Sequence, residues 1–367
     1  MRIVVAPDKF KGTLTAAEVA VAMAEGIRRA APGADITVVP LGDGGEGSLR
    51  AMLANGGEVR GVVASDALGR PTRAPLGFLA DGSIFVESAT ATGLGLLDRP
   101  DALAATSRGT GELIVRAARG WGPRKLVVGV GGTASTDGGT GAATAAGWRF
   151  LDARGNELAP GGAALRALRA VDPGVVDPLV KRSRIVAACD VANPLIGSRG
   201  AARVFAPQKG ASTADVAVLD EAMSRLAEVV RRDIGIDVEA IPHGGAGGGL
   251  GAGLAAFFGA ELTSGFDLIA GSVGLAEHIR GADLVITGEG GLDASTSEGK
   301  VVAGVARLAL SLNVECVAVA GQVEASVEGG LPVPVARVLS LAETFGAERA
   351  LADPKACVTD AVAELIR

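Results

Sequence analysis

The chain has 367 residues, a length that favours two domains and leaves room for a sizeable core. Apolar residues make up 48% of it and charged residues 21%, a balance that is typical of a folded globular protein and excludes a disordered one. The formal net charge is −6 and no block of Lys or Arg occurs, so nucleic acid and anionic membranes are unsuitable partners.

The cysteines and the apolar runs indicate the cellular compartment in which the protein functions. Three scattered cysteines without a CxxC pair are typical of a reduced environment and of a chain without a cysteine-bound metal. The apolar run at the start is too short for a signal peptide, and no run approaches the ~18 residues that a membrane-spanning helix needs. We therefore expect a cytoplasmic protein that binds neither nucleic acid nor a membrane.

The first forty residues predict a βαβ unit. Residues 2–6 (RIVVA) form a continuous apolar run, which is typical of a buried parallel strand. Thr15 and Glu18 fit a capping box, so a helix should begin there and run to about residue 31, where a Pro-Gly pair stops it. The next strand is predicted at residues 36–40.

The middle of the chain is less regular. Strands are predicted at residues 59–63, 84–87, 125–130 and 185–188, separated by long loops rich in Gly, Ala and Pro. The clearest helix is predicted over residues 212–233, where apolar side chains fall on one face. The stretch GGAGGGLGAG that follows it, ten residues with seven glycines, predicts a loop that opens a helix rather than a flexible linker.

The βαβ pattern returns near the C-terminus. A strand is predicted at residues 283–287, a helix at 301–312 and a further strand at 314–320. One more strand, at 335–339, and a closing helix, at 354–366, complete the chain. The C-terminal part therefore repeats the βαβ pattern of the first forty residues.

Candidate site residues follow the first two strands, because ligands of open parallel sheets lie beyond the carboxyl ends of the strands. Asp8, Lys9 and Lys11 come after residues 2–6, and two ammonium groups beside a helix N-terminus would suit an anion. Asp43 lies in the loop GDGGEG after residues 36–40, where glycines would let a ligand approach the main chain. The alternatives are two solvated surface lysines and a buried structural turn.

Three later strand ends carry the same residue types. The loop GGTASTDGGTG, residues 131–141, combines hydroxyls and an acid with glycines whose N–H groups could cradle phosphate, or could form two ordinary turns. Asp190 follows residues 185–188, where a carboxylate could serve as a base or metal ligand, or could cap a turn. Glu289, Asp293 and Lys300 follow residues 283–287.

These residues together indicate phosphoryl transfer. That reaction needs N–H groups and lysines for phosphates, carboxylates for Mg²⁺ and one carboxylate to accept a hydroxyl proton. Residues 299–300 lack the spacing of a Walker A loop, and neither HExxH nor GxSxG occurs. The residues therefore predict a kinase-like transferase outside the P-loop class, without specifying its substrate.

Seven segments together resemble the bacterial glycerate kinases of the glyoxylate/glucarate type. They occur in the family's order over nearly the whole chain, and as a set they are highly specific. The segments are APDKFKG (6–12), PLGDGGEG (40–47), GGTASTDGGTG (131–141), ACDVANPL (188–195), FAPQKG (205–210), GAGGGLGAG (245–253) and ITGEG (286–290).

The resemblance implies an ATP- and Mg²⁺-dependent kinase that phosphorylates D-glycerate, usually at the 2-hydroxyl, to give 2-phosphoglycerate. It also implies two α/β domains. A Rossmann-like parallel-sheet domain would comprise residues 1–64 and 275–367, and a second α/β domain, residues 65–274, would be inserted in it. The active site would lie in the cleft between them, and the chain would be a monomer or a homodimer.

The site residues can then be given roles as hypotheses. Asp190 is predicted to be the general base or to orient the glycerate hydroxyl, and Lys9 and Lys11 are predicted to bind the glycerate carboxylate or the transferred phosphoryl group. The predicted metal ligands are Asp43, Asp190 and Glu289. The predicted substrate-binding residues are Asp8, Glu289, Asp293, Ser135, Thr136 and Asp137. The predicted phosphate-binding residues are Gly131, Gly132, Gly138, Gly139, Gly247, Gly248, Gly249 and Lys300.

Three positions depart from the family pattern. Gly42 stands where members usually carry Ala, which is a benign change, Gly291 stands where they usually carry Arg, and Ser295 stands where they usually carry Gln. Loss of the arginine removes a bidentate donor to carboxylate or phosphate, which favours an alternative reading as a kinase for a related hydroxy acid or sugar acid, such as tartronate or a tetronate. Phosphorylation at the 3-hydroxyl and a ligand sensor without catalysis are further alternatives, and the retained acids and lysines count against the sensor.

Overall fold

The computed structural model describes residues 1–53, 56–189, 191–292, 301–324 and 334–367. Helices and strands together make the α/β protein that the sequence predicts. The strands are β1 Arg2–Val5, β2 Asp35–Val38, β3 Gly57–Ser65, β4 Pro71–Leu79, β5 Ile84–Glu87, β6 Leu126–Gly129, β7 Arg149–Leu151, β8 Ala170–Asp172, β9 Ile185–Cys189, β10 Glu261–Ser264, β11 Leu284–Leu292, β12 Glu315–Val323 and β13 Arg337–Ser340. The helices are α1 Ala16–Ala30, α2 Ser48–Met52, α3 Ala89–Thr92, α4 Arg108–Trp121, α5 Thr140–Ala145, α6 Pro178–Arg182, α7 Ala201–Phe205, α8 Thr213–Ile234, α9 Leu250–Phe258, α10 Gly265–Ser272, α11 Leu275–Ile279, α12 Val301–Ser311, α13 Leu341–Phe345, α14 Ala347–Ala352 and α15 Pro354–Ile366.

Strands from the two ends of the chain form one parallel sheet, in the order β13-β12-β11-β1-β2. Ile3 of β1 pairs with Leu284 of β11 on one side and with Ile36 of β2 on the other. The terminal βαβ units therefore share a sheet, as the family resemblance implies. Because β1 is central and its residues 3–5 are buried, its continuous apolar run has a direct physical cause.

The helix α1 begins where the sequence predicts and packs beneath this sheet. Thr15 Oγ1 accepts a hydrogen bond from the Glu18 N–H, and the Glu18 carboxylate accepts one from the Thr15 N–H, so the capping box is present. Met23 and Ile27 belong to the same core cluster as Val362 of α15. The predicted closing helix is thus confirmed, and it contributes to the same core as the N-terminal unit.

The middle of the chain forms a second, six-stranded sheet, in the order β10-β9-β6-β5-β4-β3. The strands β10, β9, β6 and β5 run parallel to one another. The strand β4 pairs antiparallel with β5 on one side and antiparallel with β3 on the other. The sequence analysis predicted four of these six strands. It missed the short strand β10 and also β4, whose residues include a Pro and a Gly. Parallel neighbours bring the loops after β5, β6 and β9 to one edge of the sheet.

The helix α4 is the largest element that the sequence analysis missed. Its Leu113 and Ile114 are fully buried in the core of the second sheet. Glycines obscured the helical pattern, and the structure gives the reason for one of them. A Cβ on Gly111 would lie 2.5 Å from the Ala142 Cα, so only glycine lets α4 approach α5 this closely.

The chain divides into two compact units. The first unit comprises Met1–Asp43, Arg50–Asn55 and Phe266–Arg367, and the second comprises Gly44–Leu49 and Gly56–Gly265. The predicted domain boundaries at residues 65 and 274 stay a prediction. Among the described residues, none of the helices combines the length and the apolar character that crossing a bilayer requires.

Candidate functional site

In the first unit, an ammonium group lies between two carboxylates just beyond β1. Lys9 Nζ is 3.5 Å from Asp43 Oδ1 and 3.8 Å from Asp8 Oδ1. The Lys9 side chain is 24% exposed and the Asp43 side chain 19%, so both are largely buried yet reachable from solvent. We call Asp8, Lys9 and Asp43 the Lys9 cluster. The structure thus brings together three residues that the sequence analysis singled out from two separate loops.

The pairing of β1 with β11 holds the backbone of this cluster in place. The Ala6 N–H donates to Ile286 O and the Asp8 N–H donates to Gly288 O, both at 2.8 Å, so the parallel pairing continues beyond β1. Glu289, the next residue of β11, is buried with 6% of its surface exposed. Lys11 is exposed, although its main chain lies against Gly290. The two lysines therefore have different surroundings.

Gly291 lies further along β11, opposite Gln322 of β12. Among the residues that the structure describes, a Cβ built on Gly291 would meet only the Gln322 side chain, with Cγ at 3.8 Å and Nε2 at 3.9 Å. These are ordinary van der Waals distances, so the described residues leave room for a larger side chain there. The departure from the family pattern at this position is consequently not forced by packing.

In the second unit, Asp137 organises its own loop. The carboxylate is fully buried, and Oδ2 accepts hydrogen bonds from the Ser107 N–H at 2.8 Å, the Ser107 hydroxyl at 2.9 Å and the Gly141 N–H at 3.1 Å. The Thr106 hydroxyl also donates to Oδ2, and the Gly139 N–H donates to Oδ1. Asp137 therefore ties the loop to the start of α4, and its predicted contact with substrate stays a prediction.

The two glycine-rich loops pack against each other, backbone on backbone. The Gly138 N–H donates to Gly248 O at 3.1 Å, and the Thr133 hydroxyl donates to Gly247 O at 3.1 Å. Gly132 is exposed. The glycines of the predicted phosphate cradle whose N–H groups already donate within the second unit are Gly131, Gly138, Gly139 and Gly249. Phosphate binding by these loops stays a prediction. A phosphate would have to bind other N–H groups of the loops, or the hydrogen bonds of these four glycines would have to break.

The hydroxyls of the same loop are buried without partners. Ser135 Oγ and Thr136 Oγ1 have no hydrogen-bond partner in the part of the chain that the structure describes, and both residues are fully buried. Ser88 Oγ, at the end of β5, shares this property. Unsatisfied buried hydroxyls are costly, which makes these positions suitable for a bound water or ligand group.

The sequence analysis missed a role for Lys209, which joins the two glycine-rich loops. Lys209 Nζ donates to Ser135 O at 2.5 Å, and the residue is 3% exposed. Burial lowers the pKa of Lys209 from 10.5 to about 8, and the charge of Asp137 offsets this only in part. A Cβ on Gly248, whose φ is +70°, would collide with Ser135 O and lie 2.8 Å from Lys209 Nζ. The signal available in the sequence was the segment FAPQKG.

A second missed residue is Glu87, which holds the loop GDGGEG. Its Oε1 accepts a hydrogen bond from the Gly47 N–H at 2.9 Å, and its Oε2 accepts one from the Leu49 N–H at 2.8 Å. Glu87 is 3% exposed and ends the buried strand β5, IFVE. An acid at the end of an otherwise apolar strand was the signal that could have revealed it.

Three predicted site residues, Asp190, Asp293 and Lys300, lie outside the described residues, and so does Ser295. Their roles therefore stay predictions. Asn193 follows Asp190 by three residues in the sequence. It is buried, and its main-chain O accepts a hydrogen bond from the Gly245 N–H at 2.9 Å. Across the described ranges, no cluster of three or more His, Cys, Asp or Glu side chains is arranged to hold a metal ion.

Comparisons with known proteins agree on one family. A model described as the glycerate kinase family matches residues 3–367. The chain is 44% identical to a glycerate 2-kinase of Escherichia coli K12 over 88% of this chain and 85% of the relative, and 41% identical to a glycerate kinase of Bacillus subtilis 168 over the same shares. A crystal structure of a candidate glycerate kinase 2 from Salmonella typhimurium LT2 is 39% identical, with a TM-score of 0.82 over 100% of this chain and 97% of that chain.

Proposed function

Because the chain belongs to the glycerate kinase family, we propose that it transfers the terminal phosphoryl group of ATP to the 2-hydroxyl of D-glycerate. The product would be 2-phosphoglycerate. The membership makes the chain a kinase. The name of the E. coli relative, a glycerate 2-kinase, supports the choice of the 2-hydroxyl.

The Lys9 cluster is the observation that carries this proposal. A largely buried ammonium group at the end of a parallel strand can donate a hydrogen bond to an anion and balance part of its charge. The carboxylates of Asp8 and Asp43 hold it in position before the substrate binds. We assign Lys9 to the glycerate carboxylate or the transferred phosphoryl group, with Lys11 as a second cation nearby in sequence. Phosphoryl transfer depends mainly on such positioning and charge stabilisation.

Mg²⁺ is the proposed metal, and the donor chemistry of the chain suits it. Kinase sites hold Mg²⁺ by one or two carboxylates together with the substrate phosphates, so a pre-formed cluster of three acids is unnecessary. The proposed ligands are Asp43, Asp190 and Glu289. When bound, Mg²⁺ neutralises charge on the phosphates of ATP.

The remaining roles carry over from the sequence as proposals. Asp190 accepts the proton of the 2-hydroxyl, since a carboxylate after a strand is suited to that task. Ser135 and Thr136 contribute hydroxyls that have no partner among the described residues. Glu87 would act on the reaction only by holding the loop GDGGEG in place, Lys209 would hold the two glycine-rich loops together, and Asp137 would hold its loop as well as line the substrate site.

The test is a coupled ADP-release assay with Mg-ATP and D-glycerate, with the product identified by phosphorus NMR. We expect turnover to 2-phosphoglycerate. Lys9→Met should lower kcat/KM by about 10- to 100-fold, which is the loss expected when a hydrogen bond to a charged group is removed. Lys181→Met, which removes an exposed lysine of α6, is the matched control and should leave it unchanged. Absence of turnover by the folded wild-type protein, or equal rates for Lys9→Met and the control, would contradict the proposal.

Gly291 supports a second candidate substrate class. Because the backbone at Gly291 has room for a side chain but carries none, the carboxylate or phosphate donor of the family pattern is missing. A related hydroxy acid or sugar acid could use that space. The same assay with tartronate and a tetronate decides between the classes, and a higher kcat/KM for either than for D-glycerate would favour the second.

A further inference from the structure

Lys209 lies between the two glycine-rich loops and has few partners there. The residue is 3% exposed, and Ser135 O is the one hydrogen-bond partner of its ammonium group among the described residues. An ammonium group carries three N–H donors, so two of them lack an acceptor in this part of the chain. A buried charge with so few partners is costly for the folded protein. The position is therefore suited to a ligand that brings acceptors and negative charge.

The charge of Asp137 compensates this ammonium group only in part. Within the described ranges, Asp137 is the charged residue whose field acts on Lys209. Its carboxylate accepts hydrogen bonds from its own loop and from residues 106–107, and it forms no ion pair with Lys209. A net positive charge is consequently left in a buried place.

Other donors without acceptors lie close to this ammonium group. Ser135 Oγ and Thr136 Oγ1 are buried hydroxyls without a partner in the described parts of the chain. The N–H groups of Gly247 and Gly248 donate to none of the described residues either. A Cβ on Gly248 would lie 2.8 Å from Lys209 Nζ and 2.9 Å from Thr136 Cα, so these groups meet in one place, which we call the Lys209 junction. An oxyanion could accept hydrogen bonds from such donors, whereas a cation could not.

We propose that Lys209 supplies the positive charge that holds the phosphate groups of ATP at the Lys209 junction. This inference rests on the proposed kinase function, since it takes ATP as the ligand of the two glycine-rich loops. The hydroxyls of Ser135 and Thr136 and the free N–H groups of the junction would orient the phosphate oxygens. Lys209 thus has two tasks, because it holds the loops together and attracts the anion that binds between them.

Binding of the phosphate groups should then draw a proton into the site. In the protein without nucleotide, burial lowers the pKa of Lys209 to about 8, so the side chain is about half protonated at about pH 8. An anion within about 6 Å raises the pKa of a lysine by about one unit or more, because it stabilises the charged form. Binding at about pH 8 should therefore take up about 0.4 proton per nucleotide, and binding at about pH 6 should take up close to none.

Isothermal titration calorimetry with Mg-ATP, in buffers of different ionisation enthalpy and without D-glycerate, measures this proton uptake. The wild type should show it at about pH 8, and its Kd for Mg-ATP should weaken by about tenfold between about pH 7 and about pH 9.5. Lys209→Met should lose both the uptake and this pH dependence, and it should bind Mg-ATP about tenfold more weakly than the wild type at about pH 7. Lys181→Met removes an exposed lysine, so this matched control should behave as the wild type.

A second variant, S135A/T136V, removes the two hydroxyls while nearly keeping the volume of the side chains. Because these hydroxyls lose no partner among the described residues, the free energy of unfolding without nucleotide should not fall. The Kd for Mg-ATP should weaken by about tenfold, since hydrogen bonds to a charged ligand are lost. Hydroxyls with a purely structural role would lower the stability and leave the Kd unchanged, a result that would contradict the proposal.

The outcomes for Lys209 and for the kinase function can be told apart. A wild type that binds Mg-ATP and turns over D-glycerate, but takes up no proton at about pH 8, would overturn the role of Lys209 alone. Equal proton uptake by the wild type and Lys209→Met would do the same. A folded wild type that does not bind Mg-ATP would overturn both proposals. Should Lys209→Met fail to fold, the uptake by the wild type and the Kd of S135A/T136V still decide the question.

Discussion

Replacement of Lys209 by methionine should change how the stability of the protein depends on pH. Burial lowers the pKa of Lys209 to about 8 in the folded protein, against 10.5 for an ordinary lysine. Between these values the unfolded chain holds one proton more than the folded chain at this site. Stability therefore rises with pH across this window, and it does so only while the lysine is present.

The size of the effect follows from the two pKa values. Each pH unit of difference corresponds to about 1.4 kcal/mol, so the full contribution is about 3 kcal/mol. From about pH 7 to about pH 10, the free energy of unfolding of the wild type should rise by about 2–3 kcal/mol relative to Lys209→Met. Other groups titrate in this range as well, but their contributions cancel in the difference between the two proteins.

Urea unfolding of both proteins at several pH values measures this difference. Lys181→Met is the control, since it removes an exposed lysine and its curve should run parallel to that of the wild type. Parallel curves for wild type and Lys209→Met would refute the reasoning, because Lys209 would then not be held in a medium that disfavours its charge. If the unfolding free energy of the wild type fell relative to that of Lys209→Met as the pH rose, the sign of the predicted effect would also be wrong.

Three further substitutions test the packing of the site. Gly248→Ala should destabilise the protein by about 2–4 kcal/mol in urea unfolding, because its Cβ would collide with Ser135 O. The control is Gly155→Ala, which has a similar positive φ but lies in open space and should cost only about 1 kcal/mol. Equal losses would show that the collision relaxes. Asp137→Asn should cost about 3 kcal/mol by the same measurement, since its amide nitrogen would face donors; a loss below about 1 kcal/mol would contradict this. Gly291→Arg should fold within about 0.5 kcal/mol of the wild type and lower the KM for D-glycerate, whereas an unchanged KM would show that position 291 does not contact the substrate.

The strands at the two ends of the chain were predictable because their signals are local. A continuous apolar run marks β1, and the capping box at Thr15 marks the start of α1. The helix α8 is marked in the same way by its own capping box at Ser212. By contrast, α4 was missed because glycines interrupt its apolar pattern, and they are there to let it approach another helix.

The Lys9 cluster was predictable only in part. That Asp8, Lys9 and Asp43 follow strands is visible in the sequence, since strand ends are read from apolar runs. That Lys9 lies within 4 Å of both acids, while Lys11 is exposed, depends on the pairing of β1 with β11 and β2. The sequence analysis treated the two lysines alike, and backbone geometry distinguishes them.

By itself the amino-acid sequence determined the α/β class, because apolar periodicity can be read without coordinates. The order of its motifs determined the resemblance to a kinase family, and that resemblance implied the shared sheet of the two ends. Only the tertiary structure decided what each polar residue contacts. It showed that Asp137 binds its own loop, that Lys209 is buried against Ser135 O, and that Glu87 holds a distant loop. Burial and hydrogen bonding are properties of the whole packed chain, since each depends on residues far apart in sequence.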